Sequence, residues 1–298
     1  MSHFTVMVFG DDVEDQLQPF HEYECTGIND EYVIDEDVTE ELQERIVDGD
    51  SLEESLDWYG LSNKIVSDES EVDSEGDGEH KYGYAIVKDG VLVKAVNRTN
   101  PDRKWDWYQI GGRWSGFLKL KEGAIGENGQ RSWMSREEEI PSTHCDSALK
   151  GDIDIEGIRN DVGNDAGKEW DKVHEVVGDS TWETWDSVRN RMNIDEAREF
   201  YNNQEPVKKL RERNDVGNWY SGNDGFLVSR EEFVSQARSR AISTFAVLKD
   251  GVWYEKGEMG WFGISDDNME QSDWDAEVGK LIDSVSDDTR ITIVDCHI

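Results

Sequence analysis

The chain of 298 residues is long enough for one large domain or two ordinary ones, and it carries 68 Asp and Glu against 31 Lys and Arg, a net charge of −37. A charge this negative is repelled by nucleic-acid phosphates and by anionic membranes, which argues against direct binding to either. There is no run of about 18 apolar residues for a membrane span, and the twelve Trp distinguish the chain from disordered acidic sequences, which are poor in aromatic residues.

Most of the negative charge lies at the amino end. The first 80 residues carry 26 Asp and Glu against two basic residues, Arg45 and Lys64, a local net charge of −24. Residues 81–298 carry only −13. Adaptation to high salt is the simpler alternative explanation, but it would spread the acidic excess along the chain. The uneven distribution favours a surface that binds the basic cleft of another protein.

The cysteines and the first residues indicate the compartment. Three Cys in a chain of this length are too few for a disulfide scaffold. The opening residues have the pattern of a strand and lack the basic and apolar regions of a signal peptide. Together these features predict free thiols and a soluble, cytoplasmic protein.

The amino-terminal part predicts a strand at 3–9, then helices and a loop. Thr39 is expected to cap a helix, Ser51 with Glu54 matches a capping box, and Gly49 divides the helical segment into two. Residues 67–80 contain almost no large apolar residue and predict a mobile acidic loop. Helical spacing places five residues in 37–59 on a buried face: Leu42, Ile46, Leu52, Leu56 and Tyr59.

Two similar turns predict two hairpins, at 83–95 and at 244–255. Each has Lys-Asp-Gly between β-rich runs, and Asp-Gly in this context is a strong hairpin signal. Between the two hairpins lies the densest aromatic stretch, KWDWYQIGGRWSGFLKL at 104–120. Its alternation around two glycines predicts a strand, a glycine turn or bulge, and a second strand.

Residues 130–240 change towards helical character. Capping boxes are expected at Ser135 and Ser229, and Pro206 interrupts a helix-prone segment at 195–213. The chain is then expected to close with a helix from Ser272 to Val285 and a strand at 290–295.

The economical assembly is an α+β fold with an antiparallel sheet core, packed helices and a helical insertion. Residues 1–129 and 241–298 form this core, with the acidic loop at 67–80, and residues 130–240 form the mainly helical insertion. The insertion and the many Trp also predict a homo-oligomer, since symmetric oligomers are common. The sheet is expected to contain strands near 3–9, 83–95, 106–120, 244–255 and 290–295.

No residue pattern specifies a reaction, so no catalytic residue, cofactor or metal ligand is assigned. Acids alternate at Asp152, Asp154 and Glu156, which leaves open a metal-dependent phosphoesterase or nucleotide-degrading enzyme, although a solvated strand edge has the same pattern. His and Cys lie close together three times, without the repeated spacing of a zinc module and beside carboxylates that would raise a thiol pKa. These pairs are His21 with Cys25, His144 with Cys145, and Cys296 with His297.

The expected partner-binding residues are acidic and aromatic. Carboxylates would occupy sites that normally take phosphates, and Trp would supply buried contact area. The Trp could alternatively be core residues, or could stack on single-stranded nucleic acid, which the net charge opposes. The predicted set is Asp35, Glu36, Asp37, Glu40, Glu41, Glu44, Trp105, Trp107 and Trp114.

Three segments together resemble a family of acidic proteins carried by bacteriophages and some bacteria: MSHFTVMV at 1–8, KWDWYQIGGRWSGF at 104–117 and DDTRITIVDCHI at 287–298. In size and acidic character the chain is also similar to a phage anti-defence protein that sequesters the Gabija nuclease-helicase complex. The resemblance implies a phage-encoded inhibitor without enzymatic activity. Such an inhibitor would act in the host cytoplasm on a defence complex and block its engagement of nucleic acid. A scaffolding role in the virion is a further alternative.

Overall fold

The computed structural model describes residues 2–22, 30–74, 78–131, 140–213, 223–259 and 265–298. Within these ranges the chain combines helices with mixed and antiparallel sheets, so the predicted α+β class is confirmed. The Cys25, Ser135 and Trp261 positions lie outside the described residues, as does the Ser135 capping box.

The first hundred residues contain five strands and three helices within the described ranges. Short 3-10 turns lie at Gln18–Phe20, Asp30–Tyr32 and Glu69–Glu71. In chain order the elements are β1 (His3–Phe9), α1 (Val13–Leu17), β2 (Ile34–Asp37), α2 (Thr39–Asp48), α3 (Leu52–Asp57), β3 (Ile65–Val66), β4 (Gly83–Lys88) and β5 (Val91–Thr99).

The remaining elements begin with short strands, continue with helices and end with strands around a last helix. Further 3-10 turns lie at Lys150–Asp152 and Asp224–Leu227. In chain order these elements are β6 (Trp107–Gly112), β7 (Leu118–Lys119), β8 (Gln130–Arg131), β9 (His144–Cys145), β10 (Ser147–Leu149), α4 (Ile155–Val177), α5 (Trp185–Arg189), α6 (Ile194–Asn203), α7 (Glu205–Arg211), α8 (Arg230–Arg240), β11 (Ala246–Lys249), β12 (Val252–Glu255), β13 (Gly257–Met259), β14 (Ser265–Asp267), α9 (Gln271–Asp283) and β15 (Arg290–His297).

The larger sheet pairs the first strand of the chain with the last. Its strand order is β12-β11-β1-β15-β6-β8, and β10 also pairs with β15. β1 is antiparallel to β15 from His3–His297 to Phe9–Ile291, but parallel to β11. Both central strands are buried along nearly their whole length, since α9 covers one face and α1 with Trp105 covers the other. Such two-sided burial explains their nearly continuous apolar sequence.

A second sheet, in the order β2-β5-β4-β3, lies in the acidic part of the chain. The sequence placed the 83–95 hairpin in one sheet with β1, and this prediction is wrong. The hairpin instead pairs with β2 and β3, and Ala85 and Ala95 pack against Leu42 of α2 and Leu56 of α3. We call the described residues between 30 and 99 the acidic module.

Several local predictions are confirmed. Both Lys-Asp-Gly turns form hairpins, with φ of 51° and 79° at Asp89 and Gly90, as a type I′ turn requires. The Ser51–Glu54 capping box is present in full. Thr39, in contrast, makes no capping bond, because its hydroxyl accepts the Ala95 N–H and ties α2 to β5.

The acidic loop and the helical insertion differ from their predicted limits. Within 67–74, the 3-10 turn at Glu69–Glu71 is held by the Glu71 carboxylate, which accepts the backbone N–H of Ser67. Residues 75–77 lie outside the description. In the described part of 130–240 the first α-helix begins at Ile155, and three short strands precede it, of which β10 belongs to the large sheet. α6 ends before Pro206, as predicted.

Candidate protein-interaction surface

The six predicted carboxylates lie on two consecutive elements of the acidic module. Asp35, Glu36 and Asp37 form most of β2, an edge strand whose four residues are all exposed. Glu40, Glu41 and Glu44 are exposed on α2, which follows directly. Within α2, Leu42 is buried and Ile46 packs beneath it, so helical periodicity turns the acids outward. We call these six residues the acidic face.

Little positive charge compensates the acidic face. Of the six carboxylates, only Asp35 forms an ion pair with the described residues, and its Oδ1 lies 2.7 Å from Arg98 Nε. Asp37 accepts bonds from the hydroxyl and the backbone N–H of Thr39, and these bonds hold the pKa of its carboxyl below the usual value. Asp37 therefore stays ionised at neutral pH.

The acidic module also exposes apolar side chains. Of the fifteen large hydrophobic residues exposed in the described ranges, seven belong to this module. Trp58 is the largest of them, with 65% of its surface exposed. Isolated exposed apolar residues are ordinary, but a concentration beside charge is typical of a protein interface. The seven are Ile34, Val47, Trp58, Ile65, Tyr82, Val91 and Val93.

The three Trp predicted to bind a partner lie on or beside β6 in the large sheet, whereas the acidic face belongs to the second sheet and to α2. Trp105 is 5% exposed, packs in the core and donates its indole N–H to the Leu17 carbonyl at 3.1 Å, so its assignment as a contact residue is wrong. Trp114 is partly buried against the core cluster to which α9 contributes, and Trp107 is 48% exposed. The sequence pattern missed Trp58, whose only signal was its place beside Tyr59 on a helical stretch.

A polar cluster that the sequence did not predict lies at one end of the large sheet. Asp295 is fully buried and accepts bonds from the His3 ring at 2.7 Å and the Arg113 N–H at 2.9 Å. His297 contacts Asp106 at 2.6 Å, and the two imidazole rings meet edge to face at 4.9 Å. These contacts join the first strand, the last strand and residues 111–116 (GGRWSG) at the end of β6, which we call the glycine loop.

Buried Asp146 holds the other side of that glycine loop. Its two carboxylate oxygens accept the backbone N–H groups of Gly116 at 2.6 Å and Gly129 at 2.8 Å. Carboxylates buried in this way need several donors to offset their desolvation. Asp295 and Asp146 thus fix the glycine loop from two sides, through the backbone N–H groups of Arg113 and Gly116.

Two of the three acids of the enzyme alternative make local contacts: Asp154 at the start of α4, and Glu156 with Arg159 and Arg238. Asp154 caps α4, accepting the Gly157 N–H at 2.9 Å. In the described ranges no three His, Cys, Asp or Glu side chains are grouped so that they could hold a metal ion. Burial and the neighbouring Asp146 carboxylate raise the pKa of the Cys145 thiol to about 11, and burial raises that of Cys296 well above its usual value. Neither thiol is a nucleophile at neutral pH.

Both described thiols are therefore expected to resist labelling. In a Cys25→Ser variant, a disulfide reagent at pH 7 is expected to leave Cys145 and Cys296 unmodified while the protein is folded, since the thiolate is the reacting form. The absorbance of the thiol that the reagent releases measures how many cysteines have been modified. The same sample unfolded in about 6 M guanidinium is the control and is expected to release two equivalents. Rapid labelling of the folded protein would contradict the burial of both residues.

The fold and its exposed groups define an α+β protein with a strongly acidic, partly apolar surface. No helix in the described ranges combines the length and hydropathy that a membrane crossing requires. No family model, curated protein or solved structure matches the chain.

Proposed function

We propose that the protein is a phage-encoded, non-enzymatic inhibitor that binds a host defence protein through the acidic face. The partner has a basic surface that normally engages nucleic acid, and the carboxylates occupy the sites of its phosphates. The phage origin and the defence target are taken from the resemblance described above. The observation that carries the binding role is the placement of six exposed carboxylates on one edge strand and the adjoining helix.

The geometry of the acidic face supports recognition of an extended basic groove. Side chains alternate along a strand, so Asp35 and Asp37 lie on one face of β2, opposite Arg98 and Val96, and Glu36 lies on the other face. Glu40 and Glu44 on α2 are about 6 Å apart along the helix axis. The acidic face therefore presents negative charge around an exposed edge and the adjoining helix rather than at a single site. Electrostatic complementarity of this kind mainly raises the association rate and selects the partner.

Neutralising the acidic face is expected to slow association with a polycation. We expect a variant with all six acids changed to Asn or Gln to associate with a fluorescent decalysine peptide about 10-fold more slowly at about 50 mM salt, because charge steering is lost. Stopped-flow anisotropy measures the rate constant. The matched control neutralises six exposed acids of the helical region: Asp195, Glu196, Glu199, Glu205, Glu212 and Glu231.

The control variant has the same net charge, so only the position of the acids differs. An equal loss of rate in both variants would show that total charge, not the acidic face, determines binding. In host lysate, the wild type and the control are expected to capture the same basic protein and to release it when duplex DNA is added. Capture that DNA does not reverse would contradict competition for a nucleic-acid site.

A further inference from the structure

Trp58 lies at the border of the acidic face. It follows α3 directly, and its neighbour Tyr59 donates a hydroxyl bond to the Glu41 carboxylate at 2.9 Å. On α2, Glu41, Arg45 and Asp48 follow the spacing that places residues on one side of a helix. Trp58 packs against this side, since its ring contacts Arg45. An exposed indole thus lies beside the α2 part of the acidic face.

The free protein already places a guanidinium on this ring. The Arg45 guanidinium carbon lies 4.4 Å from the centre of the Trp58 ring, and an Arg45 nitrogen lies 2.8 Å from Asp50. Arg45 is the single basic residue of α2. Arg45 thus contacts both an aromatic ring and a carboxylate. An arginine of a bound protein could make the same two kinds of contact at the exposed part of the Trp58 ring.

Most of the Trp58 surface remains open. Burial of its ring does not explain its position, because 65% of it is exposed whereas the core of the module is formed by Leu42, Leu56 and Ala85. Binding energy at protein interfaces concentrates in a few residues, with Trp foremost, surrounded by contacts that exclude water. Trp58 has the ring and the exposure of such a residue, and the surrounding carboxylates select cations.

We propose that Trp58 is the aromatic anchor of the acidic face and stacks on an arginine side chain of the bound protein. The inference rests on the proposed function and adds to it the identity of the recognised cation. A planar guanidinium stacks on an aromatic face, whereas a lysine ammonium is a compact, strongly hydrated charge. The acidic face thereby distinguishes an arginine-rich surface from a merely basic one.

The test compares fluorescent decaarginine with decalysine in equilibrium anisotropy. Trp58→Ala is expected to weaken decaarginine binding about two- to five-fold, the range that corresponds to an exposed cation–π contact. Decalysine binding is expected to stay nearly unchanged, and Trp58→Phe is expected to retain most of the decaarginine affinity. Arg45→Ala frees the ring and removes a competing cation, so it is expected to strengthen decaarginine binding.

Ile125→Ala is the control, since this side chain is 83% exposed and lies outside the acidic module. Far-UV circular dichroism checks that each variant is folded. Equal weakening with both peptides, or no weakening with either, would overturn the role of Trp58. The six-acid variant separates this failure from failure of the proposed function: it is expected to lose affinity for both peptides, and if it does not, the acidic face itself is not the binding site.

Discussion

Gly112→Ala is expected to destabilise the protein by about 2–5 kcal/mol, the sum of a left-handed backbone penalty and overpacking of a buried site. Gly112 has a φ of +55°. An added Cβ would lie 2.4 Å from the Cβ of Asp295, a fully buried residue of the central strand β15. Asp295 is held in turn by His3 and the Arg113 N–H, so it cannot move aside without breaking these bonds.

Gly60→Ala provides the matched control. Its φ of +64° is close to that of Gly112, but nothing lies within 4 Å of an added Cβ. Only the backbone penalty of about 1–2 kcal/mol is expected there. Urea unfolding of both variants gives the two free energies. A loss at Gly112 no larger than that at Gly60 would show that the glycine loop is not packed against Asp295.

Asp224→Ala is expected to destabilise the helical region by about 3–5 kcal/mol, since it leaves three donors without their acceptor. Its carboxylate accepts the Trp182 indole N–H at 2.9 Å, the Tyr201 hydroxyl at 2.6 Å and the Trp185 backbone N–H at 2.6 Å. Trp182 and Tyr201 are both buried in the core between α4, α6 and α7. One carboxylate thus joins three separate segments of this region.

Hydrogen exchange over α4 to α7 is expected to accelerate in the Asp224→Ala variant, and urea unfolding gives the free energy. Asp165→Ala is the control, because Asp165 is 76% exposed and pairs only with Lys168 in the described ranges, so its loss is expected to cost about 0.5 kcal/mol or less. Equal effects of the two changes would contradict the role of Asp224.

The same region is expected to lose stability in alkali. Burial, and then the bond to Asp224, raise the pKa of the Tyr201 hydroxyl above its ordinary value in the folded state. The stabilising contribution is therefore complete below the unfolded tyrosine pKa of about 10 and is lost as the pH rises above it.

Much of the local structure could be predicted from short stretches of sequence. The Ser51–Glu54 capping box, the two Asp-Gly turns and the helix break before Pro206 each depend on a few adjacent residues whose preferences act within one turn of chain. The same holds for the outward orientation of the α2 acids, because helical periodicity around Leu42 determines which residues face solvent. The candidate carboxylates could be found for this reason.

The aromatic part of the candidate surface could not be found in this way. Trp105 and Trp58 each have another aromatic residue within two positions, Trp107 and Tyr59, yet Trp105 is buried and Trp58 is exposed. Their difference depends on what packs over each ring: the 17–20 segment covers Trp105, whereas the Arg45 guanidinium lies over the Trp58 ring and leaves most of it exposed. Neither neighbour can be read from the adjacent sequence.

By itself, the sequence determined the α+β class, the local turns and caps, and the acidic character of the amino end, because each of these depends on composition or on contacts between near neighbours. Only the tertiary structure decided which strands share a sheet. A β-rich run pairs with any strand of suitable register and burial, so the separation of the 83–95 hairpin from β1, and the meeting of His3 with Asp295, arise from contacts between distant parts of the chain.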